Sequence, residues 1–160
     1  RDKDALVTSM IIAEMAVYYN SIGSSIYNEL QKLYNEYGYY LEGIKSVTLK
    51  GKDGLEQMGV LMSDLRENVK DTLIQKKIKI KRDFETHKEY NLTTGEVKDI
   101  NLPKENVLQF VLEDGTYITA RPSGTEPKIK FYFSVNADSA ENVKVKLDKS
   151  MADFEAILKL

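Results

Sequence analysis

The sequence predicts an α+β fold: a mostly antiparallel sheet with helices packed on one face, preceded by a helical extension. Three observations lead there. Residues 4–20 form an apolar segment at helical spacing, ahead of any strand signal. From residue 77 to residue 135, apolar and polar side chains alternate in short runs separated by turn residues, the pattern of antiparallel strands. Two further apolar stripes at helical spacing begin behind acidic residues at Asp53 and Asp138, each with Glu at the third position, as a capping box requires.

In the first helix, Leu6, Val7, Met10, Ile11, Val17 and Tyr18 cover one broad face, and Ile12, Met15 and Tyr19 spread beyond it. A helix apolar nearly all round is normally buried on several sides, and little else in the chain is sized to cover it. A second helix follows Gly23, capped by Ser24 or Ser25. It carries a stripe from Ile26 to Tyr37 and stops at Gly38. The tyrosines from Tyr34 to Tyr40 are expected to pack this extension on its neighbour. Tyr39 to Gly43 read as a connection to a short strand, Ser46 to Lys50. The third helix starts at Asp53, with Leu55, Met58, Leu61, Met62, Leu65 and Val69 on its apolar side. Residues 77–84 alternate Lys with Ile, a strand with Ile78 and Ile80 on one face. The polar residues 85–106 read as loop, and His87 within them as a solvated side chain. Leu108, Phe110 and Leu112 make a strand that turns at Asp114-Gly115, a two-residue hairpin signal, and returns over Thr116 to Ala120. A final strand places Ile129, Phe131, Phe133 and Val135 on one face and Lys130, Tyr132 and Ser134 on the other. The last helix carries Val143, Leu147, Met151, Phe154 and Leu158.

Composition narrows the function classes. A chain of 160 residues with 42% hydrophobic residues can build a real core. Its net charge of -2 gives no general attraction to nucleic acid or anionic membrane, so any anion site must be local. The basic run at 76–82 alternates with Ile and reads as the solvated face of a strand. Neither nucleic acid nor a membrane is expected as a partner: the longest apolar stretch, Met10 to Tyr19, is interrupted by Glu14 and too short for a bilayer. No cysteine is present, so disulfides and thiolate metal sites are excluded, and a cytoplasmic location is compatible. The chain opens on Arg1-Asp2-Lys3-Asp4 without an initiator methionine, as a piece of a longer protein or a processed chain would.

The segment Arg121-Pro122-Ser123-Gly124-Thr125-Glu126-Pro127-Lys128 joins two strands and has what a phosphate dianion needs. Arginine offers a planar fork of donors, the hydroxyls add rotatable donors, and Gly124 permits close backbone approach or a positive φ. Successive N–H groups there can form an anion-binding nest. The prolines stiffen the flanks. The plainer reading is a rigid hairpin loop with scattered polar residues; Glu126 favours it unless its carboxylate turns away or pairs with Lys128 or Arg121.

This octapeptide, followed by Ile-Lys-Phe-Tyr, resembles the phosphate-binding loop in the last domain of the α-D-phosphohexomutase superfamily, on its phosphoglucomutase/phosphomannomutase branch. Arg1-Asp2-Lys3-Asp4 is similar to the family's Arg-Asp-Lys-Asp-Gly segment near the end of the third domain, with Ala5 where glycine is common. The resemblance implies a helical tail and linker over 1–40 and, over 41–160, a fourth domain of TATA-box-binding-protein-like fold. It implies that Arg121, Ser123, Gly124 and Thr125 hold the non-transferred phosphate of a hexose phosphate, with Lys128 near by. It further implies that Lys3, otherwise a solvated lysine, assists proton transfer at the reacting hydroxyl. In the family, a phosphoserine exchanges phosphoryl groups with the sugar, Mg²⁺ sits at that serine and a glucose 1,6-bisphosphate-type activator primes it. The phosphoserine, metal and sugar-binding loops of the family do not occur in these 160 residues. The expectation is therefore a fragment of a longer enzyme, inactive alone, whose partners are the hexose phosphate and the preceding domains of the same polypeptide, with no metal ligand of its own. The alternatives are a stand-alone phospho-ligand-binding module or a purely structural domain.

Overall fold

The computed structural model describes residues 3–49, 53–124 and 126–158. The chain divides into two compact units, Arg1–Tyr39 and Tyr40–Leu160.

The first unit is a helical pair. Asp4 starts α1 (Ala5–Ser21), its carboxylate accepting from the Val7 N–H. Gly23, at φ 75°, allows the sharp bend between the helices. Ser25, of the two serines, caps α2 (Ile26–Tyr37) by accepting from the Asn28 N–H. Gly38 ends α2 at φ 92° with an extended ψ, rather than in the left-handed helical conformation of the usual stop. Tyr34 stacks on Tyr39 with ring centroids 5.0 Å apart, so this part of the tyrosine cluster closes the end of α2. Neither helix buries a residue, and Leu6 and Met10 of α1 are 81% and 72% exposed.

The second unit carries the sheet. Its strands are β1 (Tyr39–Thr48), β2 (Thr72–Leu73), β3 (Lys76–Asp83), β4 (Lys88–Asn91), β5 (Val97–Asp99), β6 (Leu108–Leu112), β7 (Tyr117–Pro122) and β8 (Lys128–Ala137). The spatial order is β1-β8-β7-β6-β3-β4-β5, with β2 hairpinned onto β3. The pairs from β8 through β5 are antiparallel. Helices α3 (Gly54–Glu67) and α4 (Ala140–Leu158) cover one face, which confirms the expected α+β architecture. The register sets Phe110, Ile118 and Phe133 side by side, and Leu108, Ala120 and Phe131 in the next row. All six are buried beneath Met62 and Leu65 of α3 and Phe154 of α4. The Phe154 ring lies 4.8 Å from that of Phe131 and 5.4 Å from that of Phe133. The large apolar side chains among these contribute about 1.5–3 kcal/mol each by leaving water.

Several local expectations are corrected. Tyr39 to Thr48 form one strand, not a connection and a short strand; the expected end at Lys50 lies outside the described residues. Gly43, which looked like a break, lies inside this strand, and α4 passes so close that a Cβ there would meet Met151 Sδ at 2.8 Å. Asp53 precedes α3 but makes no side-chain cap bond, since its backbone (φ −94°, ψ 8°) is not in the extended conformation that aims a cap inward. Residues 85–106 contain the β4–β5 hairpin, whose turn is held by Asn91 Oδ1 accepting from Thr93 N and Thr94 N. The turn between β6 and β7 is a residue longer than Asp114-Gly115 suggested. Leu112 N donates to Thr116 O across three residues, with Gly115 at φ 79°. Ser139, not Asp138, caps α4 through the Asn142 N–H.

The basic strand departs most from its reading. Ile78 faces Leu112 while Ile80 faces Val111, so Lys79 is an extra residue and the pleat changes phase. Ile80 therefore turns away from the face of Ile78. Lys81 instead points into the helix-covered side, donating to the Arg66 and Val69 carbonyls at the end of α3.

Candidate functional site

The predicted anion loop is the hairpin connection between β7 and β8. Pro122 pairs with Ile129 at the last ladder position, and Ser123 N donates to Lys128 O at 2.7 Å to close the loop. Inside it, Lys128 N donates to Glu126 O at 2.7 Å, and Glu126 N donates to Ser123 Oγ at 3.3 Å. The serine oxygen thus accepts from the loop's own backbone. Two contacts anchor the loop from outside. Pro127 O accepts from Leu49 N at 2.8 Å, and Gly54, the first residue of α3, lies so close that a Cβ there would meet Pro127 Cβ at 2.9 Å.

Strand periodicity decides which side chains share a face. Ile118 and Ala120 point into the core with Ile129 and Phe131. Tyr117, Thr119 and Arg121 of β7, with Lys130, Tyr132 and Ser134 of β8, therefore project from the opposite, helix-free face. Ser123 and Lys128 continue the same parity at the loop's mouth. Arg121 stands directly across from Lys130. Opposed like charges destabilise a strand pair. Among the described residues, neither the Arg121 guanidinium nor the ammonium groups of Lys128 and Lys130 have a hydrogen-bonding or ionic partner. The Glu126 carboxylate is exposed and pairs with neither Lys128 nor Arg121.

Of the sequence candidates, Arg121, Ser123, Gly124 and Lys128 come together here. Gly124 is not at a positive φ, which removes one of the two reasons considered for it, and nothing lies within 4 Å of where its Cβ would be. The open space in front of its backbone remains as the reason. Thr125 lies outside the described residues. Lys3 belongs to the other unit, exposed just ahead of the Asp4 cap. Lys130 was read only as the polar face of a strand; its place opposite Arg121 required the register. Among the described residues, no group of three or more His, Asp or Glu side chains could share a metal ion. No single described helix is long and apolar enough to cross a membrane, although α1 and α2, bent by 88°, pass together by length and composition.

These features belong to a known class. The sequence model of the family described as phosphoglucomutase/phosphomannomutase, C-terminal domain, matches residues 47–150. The chain belongs to this family, the fourth domain of the phosphohexomutase superfamily. Among individual relatives, it is 34% identical over 143 residues to a phosphoglucomutase of Staphylococcus haemolyticus, covering 89% of this chain and 26% of the relative. It is 32% identical over 148 residues to a phosphoglucomutase of Staphylococcus aureus, covering 92% and 27%. The chain thus spans about a quarter of the length of these curated relatives. The open-form crystal structure of pp63/parafusin, a phosphoglucomutase from Paramecium, aligns with a TM-score of 0.42 at 17% identity, over 82% of this chain and 23% of that one.

Proposed function

We propose that this chain supplies the phosphate-holding end of a hexose-phosphate mutase. The observation that carries the reading is the convergence of Arg121, Ser123, Lys128 and Lys130 on one sheet face, beside an unfilled Gly124 backbone. Residues 41–160 form the phosphate-binding domain, and residues 1–40 the tail of a preceding domain and its linker. The Arg121 fork spans two phosphate oxygens, Ser123 and Thr125 donate to the third, and the lysines neutralise the remaining charge. Holding the phosphate that is not transferred fixes the sugar's far end, so that the reacting oxygen is presented in a defined place. Closure of the domain over the sugar then excludes water from it. Lys3 would hold and return a proton at the reacting hydroxyl.

The described acidic residues do not fit Mg²⁺ here, and no step is assigned to it in this chain. In the family the ion supplies charge neutralisation at the serine that carries the phosphoryl group. A glucose 1,6-bisphosphate-type activator would present one phosphate to the same loop. The substrate is a hexose 1- or 6-phosphate and the setting cytoplasmic.

The test is a titration with glucose 6-phosphate followed by backbone amide shifts. Binding in the millimolar range, about 4 kcal/mol, is expected, with shifts centred on residues 121–124. Arg121→Ala should abolish it, and Ser123→Ala should cost about 1.5–3 kcal/mol at most. His87→Ala should change nothing. Shifts centred on the basic strand β3 and untouched by Arg121→Ala would put the anion site elsewhere.

A further inference from the structure

The phase change at Lys79 turns Lys81 to the helix-covered side of the sheet. There its Nζ donates to Arg66 O and, at 3.3 Å, to Val69 O, the open carbonyls at the end of α3. Lys76 and Lys146, also part-buried, each contact the Asp114 carboxylate. Among the described residues, Lys81 makes no ion pair and finds no third acceptor. An ammonium carries three hydrogens, whereas a neutral amine carries two and a lone pair in the third position. The two carbonyls satisfy the amine in full. The ammonium would keep one N–H without a protein partner, which is costly for a charged group out of water.

Lys81 lines a cavity of about 360 Å³, so the third position of Nζ is the one left to that cavity. Burial is the main influence that pushes the Lys81 ammonium below its usual range; Asp83 opposes it and Arg66 adds to it. Asp83 is already bonded by Arg66 at 2.9 Å. Lys70, Asp71 and the phenol of Tyr90 are the other titratable groups on the cavity wall. A desolvated lysine beside another cation is a nucleophile near neutral pH. Lys70 is exposed and has no partner among the described residues, so it can draw in a dianion. Val69 and Leu92 give the cavity an apolar side that suits a short carbon chain.

We infer that Lys81 is a site of covalent acylation that takes short acyl groups from acyl phosphates. The Nζ lone pair attacks the acyl carbonyl carbon and an N–C bond forms. The bond from that carbon to the phosphate oxygen breaks, and the phosphate leaves with the electron pair toward Lys70. Nζ loses one proton to the departing phosphate or to water, and nothing is oxidised or reduced. The amide product keeps a single N–H, so one of the two α3 carbonyls loses its donor.

The test is competitive acetylation of the 160-residue chain with acetyl phosphate at pH 7, read lysine by lysine by peptide mass spectrometry. Lys81 should acetylate about tenfold faster than the exposed Lys104 and Lys144. The preference should vanish in denaturing urea, where burial and the two carbonyls are lost. Lys70→Gln, at an exposed position, should slow Lys81 by about threefold with acetyl phosphate and leave its rate with the uncharged donor p-nitrophenyl acetate unchanged. Lys81 labelled no faster than Lys104 and Lys144 in the folded chain, or a preference that survives in urea, would overturn the site. Equal rates for the parent chain and Lys70→Gln with acetyl phosphate would overturn the acyl phosphate as its donor.

Discussion

At the scale of single residues, the loop's shape depends on a neighbour that makes no ligand contact. Gly54 opens α3 against the Leu49 carbonyl, where a Cβ would come within 2.5 Å of the oxygen. Leu49 in turn donates to Pro127 O in the loop. Backbone atoms cannot swing away as a side-chain tip can, so Gly54→Ala must move either the helix or the loop. Overpacking of this kind costs about 1–3 kcal/mol. The expected outcome is a lower urea midpoint together with weaker glucose 6-phosphate binding. Gly59, in the same helix, has nothing within 4 Å of its Cβ position and serves as the control. Equal effects of alanine at the two positions would show that the junction does not shape the loop.

At the scale of elements, polar ties hold the strands and helices that the core does not reach. Asp83 is buried on β3 and bonded by Arg66 of α3 at 2.9 Å, while Arg66 also reaches Glu85 and Asn106. Burial pushes the Lys81 ammonium below its usual range, yet it stays engaged with the α3 carbonyls. The β6–β7 turn is tied by Asp114. Burial by itself would raise this carboxyl, but hydrogen bonds from Lys76 and Thr116, with Lys146 at 3.3 Å, hold it well below the ordinary carboxylate range. A carboxyl depressed in the folded state stabilises fully above its unfolded value. That contribution drains away as the pH falls through the folded value. Asp114→Asn should therefore cost about 1–2 kcal/mol at pH 7, and the gap to the parent chain should narrow by pH 3. Urea midpoints at the two pH values check this; a gap that stays constant would mean the charge is not what ties the turn.

At the scale of the whole molecule, the two units differ in what covers them. The sheet unit has a buried core of its own, whereas α1 exposes Leu6, Met10 and Val17 and buries no residue. Apolar surface of that extent drives association. The 160-residue chain should self-associate in sedimentation velocity, and a chain starting at residue 39 should run as a folded monomer. A monomeric full chain with strongly protected α1 amides would show that the helix is satisfied as it stands. Neither chain should convert glucose 1-phosphate to glucose 6-phosphate, with or without Mg²⁺ and a bisphosphate activator. Turnover by a sample cleared of host mutase would contradict the reading of this chain as the phosphate-holding part of a larger enzyme.

What the sequence determined by itself was whatever depends on local periodicity and on a long specific motif. The apolar stripes of α3 and α4, the alternation in β6 and β8 and the loop from Arg121 to Lys128 were all legible, because neighbouring residues carry those signals. The tertiary structure decided what depends on residues distant in the chain. Gly43 sits inside a strand without a side chain because α4 lies where its Cβ would be. The β4–β5 hairpin has no apolar alternation, and its pairing with β3 supplies the order its composition does not. The bulge at Lys79 reversed the face of Lys81, since one unpaired residue changes the phase of every side chain after it. Lys130 joined Arg121 for the same reason: facing pairs are set by register between strands, and register is a property of the assembled sheet.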